Sequence, residues 1–215
     1  MTRPTSRLDT IGEKVRSHFS VEDGAREKGL GLSRESIRFS ANAIRAVHRG
    51  EFDQARELIG SARANVEEMS RTLAKHRELF YGGFVHNGQK EYAEACITLA
   101  LVSGETLPDP DELGISYAAY LNGLGEAAGE MRRHLLDTLR ERQIKRCEEI
   151  LWAMDDIYSL LVTIDFHDAL TGGLRRTTDM VRGVLERTRG DYTLSLRQKE
   201  LEQRLEEFGD KLDNK

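Results

Sequence analysis

Four glutamates stand where a packed interior is expected. The stretch "KEYAEACITLALV" (Lys90 to Val102) sets Glu91 and Glu94 three residues apart, and "YLNGLGEAAGEM" (Tyr120 to Met131) sets Glu126 and Glu130 four apart. A helix turns about 100° per residue, so the members of each pair point the same way. Tyr92 to Val102 is apolar on almost every side, which leaves Glu94 without a wet face. Around the second pair, Gly123, Gly125, Ala127, Ala128 and Gly129 are small. Glycines in a helix cost about 1 kcal/mol each in propensity, and they let a neighbouring element come close.

Carboxylates crowded into a dry cleft must be protonated, pair with Arg or Lys, or hold a cation. Lys90, Arg132 and Arg133 are near enough in sequence to pair, although the two arginines adjoin Glu130 and point to different faces. A cation explains both pairs at once. Two helices offering two inward acids each resemble the metal sites of carboxylate bundles, but those iron sites use Glu-x-x-His, and histidine is missing at that spacing here. An all-oxygen set of Glu91, Glu94, Glu126 and Glu130 favours a hard ion, Mg2+ or Mn2+, over iron or zinc. A pair of solvated acids at helical spacing is the plain alternative.

A second constellation is basic. Arg34, Arg38, Arg45 and Arg49 fall within about 60° of one another on a helical wheel and span about 22 Å. Such a row suits a phosphate backbone, because each guanidinium fork can clamp a pair of phosphate oxygens. The alternative is a solvated face balanced by Glu35 and by the acids that follow. Arg71, Lys75, His76 and Arg77 lead towards "YGGFVHNGQ", and His86 and Lys90 precede the first acid pair. Basic groups leading to an acidic metal site have the layout of a nuclease. "DFHD" around His167 reads either as a second metal site or as a helix-terminal turn.

The elements that must position these groups are helices. Ala, Leu, Glu and Arg dominate the 215 residues, and the three prolines (Pro4, Pro108, Pro110) fall outside the long periodic stretches. Periodicity starts near Arg7 and weakens at Gly24, Gly29 and Gly31. It is firm from Ser33 to Arg49, with Ile37, Ala41, Ile44 and Val47 on the apolar face and Gly50 as the cap. A second helix is expected over Phe52 to Leu79, and "YGGFVHNGQ" reads as a loop or broken helix. A third runs over Lys90 to Ser103, then "GETLPDPDELG" makes a turn. A fourth covers Ser116 to Glu141, a fifth Ile144 to Thr163, and a last one begins near Leu174.

That last helix places Val181, Leu185, Thr188 and Tyr192 on one stripe, with Leu194, Leu201, Leu205 and Phe208 further on. The later seam packs either on its own bundle or against another subunit. The fold expected is all-α, an antiparallel bundle of about six to seven long helices in a single domain over 1–215, with 1–31 as a looser N-terminal segment.

The formal charge of −5 gives no global sign of a nucleic-acid partner. The two cysteines, Cys96 and Cys147, lack metal-ligand spacing and read as buried free thiols. No apolar run reaches the length of a membrane span, and "MTRPTSRLDT" has no signal core, so the expected place is the cytoplasm.

Taken together, "QKEYAEA" and "YLNGLGEAAGEM" resemble the translin superfamily, and within it the catalytic branch, translin-associated factor X. "LSRESIRFSANAIRAVHRG" is similar to that family's first long helix, and the resemblance runs from about Leu32 onward, loosely after Ile144. It implies that Glu91, Glu94, Glu126 and Glu130 bind Mg2+ and cleave RNA, in a homo-oligomer whose hollow octameric barrel encloses the RNA. Translin itself lacks the full acid set. One departure is Glu126, where the family's usual residue is aspartate; the extra methylene would weaken activity or shift preference to Mn2+. The long insertion between the two segments is absent. Enclosure also reconciles an acidic protein with RNA, because basic residues can line the interior. The function expected is a metal-dependent endoribonuclease on single-stranded RNA. The alternative is a non-catalytic oligomer that binds single-stranded RNA or DNA.

Overall fold

The structure, a computed structural model, describes residues 5–213. The first four residues, part of the segment read above as lacking a signal core, lie outside that range. The described residues form helices joined by turns, with no strand among them. In order the helices are α1 (Leu8–His48), α2 (Phe52–Leu73), α3 (Arg77–Phe80), α4 (Gly83–Ser103), α5 (Pro110–Leu113), α6 (Tyr117–Arg140), α7 (Ile144–Thr163), α8 (Asp168–Thr171) and α9 (Leu174–Asp213). None is long and apolar enough to cross a membrane. Two compact units are distinguished, one comprising 1–95 and 109–120, the other 96–108 and 121–215.

In the first unit α1 and α2 form a helical hairpin. Its turn closes as expected at Gly50, whose φ is +74°. The Gly50 amide donates to the Val47 carbonyl at 2.9 Å and the Glu51 amide to Ala46 at 2.9 Å, a Schellman closure that fits a glycine in the left-handed region. Two expectations are corrected here. Gly24, Gly29 and Gly31 do not interrupt the first helix, which runs unbroken for 41 residues. The second helix ends at Leu73 rather than Leu79, at a bend where His76 Nδ1 sits 2.8 Å from Glu22 Oε1 of α1.

The glycine-rich stretch after α3 is helical too, so α4 starts at Gly83 instead of Lys90. Its first turns lie against a polar stripe of α1: Ser33 Oγ donates to the Phe84 carbonyl at 2.7 Å and Ser36 Oγ to Gly88 at 3.3 Å. A Cβ on Gly88 would stand 3.0 Å from Ser33 Oγ and 3.4 Å from Ser33 Cα. The glycine is there to let two helices touch. The buried face of α1 is accordingly Ser33, Ser36, Ser40, Ala43, Ile44 and Val47, while Ile37 and Ala41 are only half-buried. The proline-containing turn contains the one-turn α5, closed by a reciprocal capping box between Asp109 and Glu112.

In the second unit Met131 and Leu135 of α6, Cys147, Ile150 and Met154 of α7, and Val184, Leu185 and Tyr192 of α9 form one apolar cluster. Arg146 donates to the Leu101 and Val102 carbonyls at 3.1 and 3.0 Å, satisfying the end of α4 with a cation where a helix C-terminus favours one. Both cysteines are buried free thiols, and burial pushes the Cys147 thiol above its ordinary pKa.

Candidate metal centre

Helix α4 carries the first acid pair through a stretch in which every residue from Tyr92 to Ala100 is buried. Glu94 is 8% exposed, the sole charged side chain in that stretch. Glu91, three residues earlier, is half-buried, with Lys90 Nζ 3.2 Å from its Oε1. One turn past Glu94, Thr98 is fully buried and its hydroxyl has no hydrogen-bond partner.

Helix α6 carries the second pair, and two polar anchors fix it. Ser116 caps its start, accepting from the Ala119 amide at 3.3 Å. Gln89 of α4 holds that cap, its Oε1 accepting from Ser116 N at 3.2 Å and Ser116 Oγ at 3.0 Å. Further along, the buried Asn122 donates to the Thr171 carbonyl at 2.8 Å and accepts from Thr177 Oγ1 at 2.6 Å. Gly125 then seats α6 on α9: a Cβ there would stand 2.3 Å from Thr177 Cγ2. Gly129 has no such constraint, since nothing lies within 4 Å of a Cβ at that position. Of these two glycines, the close approach is made at Gly125, and the neighbour that comes close is a side chain.

Glu91, Glu94 and Glu126 each offer one carboxylate oxygen, and these atoms all lie within 4.8 Å of one another. Glu130, half-buried one turn further along α6, is not part of that group. Arg132 directs its guanidinium to α9, with Nη2 2.7 Å from Asp191 Oδ2 and Nη1 3.1 Å from Thr188 Oγ1. Three hard oxygen donors, one of them deeply buried, fit the donor set of Mg2+ or Mn2+ and are unsuited to softer metals.

No protein-family model matches the chain. An uncharacterised protein of Methanocaldococcus jannaschii is 28% identical over 191 residues, 88% of this chain and 84% of that protein. The crystal structure of AfC3PO matches with a TM-score of 0.79 at 31% identity, over 86% of this chain and 97% of the other. The chain belongs to the C3PO/translin family. AfC3PO in its complex with duplex RNA matches at a TM-score of 0.73 and 30% identity, over 86% and 96% of the two chains. Apo-NeC3PO shares the C3PO fold, with a TM-score of 0.75 at 20% identity over 91% and 99%.

Against this C3PO frame the basic groups divide. Arg34, Arg38, Arg45 and Arg49 are all exposed along α1. Arg38 pairs with Glu35 and lies over the Phe39 ring, Arg45 donates to Asn42 at 2.7 Å, and Arg49 reaches Glu51 at 2.6 Å. Arg77 is exposed at the start of α3, whereas His86 and Lys90 are half-buried on α4. His86, Lys90 and Glu94 are spaced by four, so they share one face of that helix. His167 is a helix cap: its Nδ1 accepts from the Ala169 amide at 3.2 Å, as the turn reading of "DFHD" expects. Gln89, Asn122 and Thr177 were not signalled by the sequence, because their partners lie 27 to 55 residues away.

Proposed function

We propose that this chain is a metal-dependent endoribonuclease of the C3PO/translin family that cuts single-stranded RNA using Mg2+ or Mn2+. The observation that carries the reading is the meeting of Glu91, Glu94 and Glu126 within 4.8 Å. Three carboxylates that close repel one another strongly, and a divalent cation relieves the repulsion. A bound ion of this kind supplies a Lewis acid that acidifies water and screens charge on a phosphate.

The side chains divide the remaining work. Glu94, buried and fixed by packing, sets the position of the ion. Glu91 and Glu126 are half-buried, so water and a phosphodiester reach them more readily than they reach Glu94. His86 and Lys90, two turns and one turn before Glu94, give α4 a flank of nitrogen donors that would orient the phosphate. Glu130, outside the group of three acids, is assigned as a fourth acid that would act on water beside the ion. Arg34, Arg38, Arg45, Arg49 and Arg77 are exposed cations for the RNA backbone away from the cut. AfC3PO has been seen with duplex RNA, which supports RNA as the ligand class. A hollow homo-octamer is the assembly proposed, with the acids and the RNA inside it.

One observation favours a second reading, a non-catalytic oligomer that binds single-stranded RNA or DNA. Lys90 already stands 3.2 Å from Glu91, so part of the acidic charge is balanced without an ion. Turnover of a labelled single strand in Mg2+, with binding measured separately in chelator, distinguishes the two. Metal-dependent cleavage with binding retained in chelator supports the nuclease. Binding without cleavage in either Mg2+ or Mn2+ would establish the other.

A further inference from the structure

Several threonines in the helices of this chain turn their hydroxyl back onto the carbonyl one turn earlier. Thr138 donates to His134 at 2.8 Å, Thr178 to Leu174 at 3.0 Å, Thr188 to Val184 at 2.7 Å and Thr193 to Arg189 at 2.7 Å. Thr98 of α4 does not. It is fully buried, yet its Oγ1 has no hydrogen-bond partner, and it leaves the Glu94 carbonyl, its own one-turn acceptor, unused. An unpaired hydroxyl in a dry interior is unfavourable, and valine would fill the same space without that penalty.

The place of Thr98 on its helix connects it to the acids. At about 100° per residue it lies about 40° from Glu94 and about 20° from Glu91, between the two on the wheel. It stands about 6 Å of axial rise beyond Glu94, and a helical side chain leans towards the turn that precedes it. Among the buried residues 95–100 it carries the single hydroxyl. Ser40 of α1 is also fully buried with an unpartnered hydroxyl, but it shares no helix with the acids.

We propose that Thr98 is a positioning residue for the metal centre, its hydroxyl donating to the Glu94 carboxylate when that carboxylate holds a divalent cation. This role rests on the metal centre proposed above. Carboxylates that ligate a cation are themselves held by hydrogen bonds, and those supports raise affinity. A carboxylate among apolar walls keeps lone pairs beyond those given to an ion, and a nearby hydroxyl is the donor that can satisfy one of them. Thr98 thus gains in the loaded state the partner it lacks otherwise.

The test uses the full chain with Mn2+ alone and no RNA, so that binding is read apart from cleavage. Free Mn2+ is followed by its paramagnetic resonance signal during titration. Thr98→Val keeps the shape and removes the hydroxyl, and it is expected to weaken Mn2+ binding by about tenfold or more. In chelator its melting temperature should equal or exceed that of the unaltered chain, because an unpaired buried hydroxyl has been removed. Thr98→Ser keeps the hydroxyl and should bind Mn2+ much as the unaltered chain does. Glu94→Gln is the reference for loss of the site. Unweakened binding by Thr98→Val, beside lost binding by Glu94→Gln, overturns the proposal and leaves the metal centre standing. A lower melting temperature of Thr98→Val in chelator, or binding by Thr98→Ser as weak as that by Thr98→Val, makes the side chain a packing element and overturns the proposal too. No Mn2+ uptake by the unaltered chain, or equal uptake by Glu94→Gln, refutes the metal centre itself and this role with it.

Discussion

The side-chain oxygen of Asn122 accepts the Thr177 hydroxyl at 2.6 Å, one helical turn before Glu126. Its amide meanwhile donates to the Thr171 carbonyl at 2.8 Å. One buried side chain thus ties α6 to both α8 and α9, and it does so where a small rotation would swing Glu126. Asn122→Ala removes both bonds and leaves buried polar groups unpaired. It should cost about 2–3 kcal/mol of stability. Because it touches no ion itself, the sharper readout is Mn2+ affinity at a temperature where the variant is fully folded. Weaker metal binding there fits a positioning role, and unchanged affinity shows that the residue serves stability alone.

The two glycines flanking Ala127 and Ala128 should respond in opposite directions. A methyl on Gly125 would stand 2.3 Å from Thr177 Cγ2, a short branched side chain already engaged with Asn122. Gly125→Ala should therefore destabilise by about 1–3 kcal/mol despite the better helix former. Gly129 has open space, so Gly129→Ala should gain about 0.5–1 kcal/mol from helix propensity. Thermal melts of both variants compare them directly. The same sign for both would remove the packing explanation for Gly125.

Helix α6 ends with an arginine where glycine is usual. Arg142 has φ +60°, its amide donating to Leu139 at 2.9 Å and the next amide to Thr138 at 3.2 Å, the same closure that Gly50 makes after α1. A side chain in this region costs about 1–2 kcal/mol. Its ion pair with Glu202 is long and exposed, so removing it costs little. Arg142→Gly should raise the denaturation midpoint by an amount worth about 1 kcal/mol. A lower midpoint would mean that the arginine holds the turn by interactions beyond this one.

Some of this was legible in the sequence and some was not. The bounds of α7 and the start of α9 follow from apolar periodicity cut off by turn residues, which are local signals. The glycine-rich segments misled because glycine reads as a breaker when its partner is out of view. Gly88 lies inside a helix, and it is a glycine because Ser33 comes so close, a contact across 55 positions. Serine misled in the same way: Ser33, Ser36 and Ser40 are buried, since small polar residues fit where α4 presses on α1. In the site, helical spacing together with the apolar run around Glu94 and the small residues around Glu126 pointed to Glu91, Glu94, Glu126 and Glu130, of which the first three have carboxylate oxygens within 4.8 Å of one another. The supports at Gln89, Asn122 and Thr177 depend on contacts that only the folded chain creates.

The arginine row on α1 is a surface feature, so its role separates cleanly from stability. Reversing Arg38 and Arg45 to Glu together removes two positive charges and adds two negative ones on exposed positions, with helix content expected to stay the same. If the row carries phosphates, RNA affinity falls sharply and the slope of log affinity against log salt flattens by roughly 0.7 for each phosphate no longer held. Retained affinity with an unchanged slope at moderate salt would take the row out of the interface.

The central claim is that the acids of α4 and α6 act as one metal-dependent catalytic set. The most direct measurement is cleavage of a labelled single-stranded RNA in Mg2+ by Glu94→Gln and by Glu126→Gln, each compared with the unaltered chain. Both substitutions keep size and remove charge. The account predicts that each lowers the cleavage rate on the order of a hundredfold or more while RNA binding in chelator is unchanged. Cleavage at the full rate in either variant would contradict it.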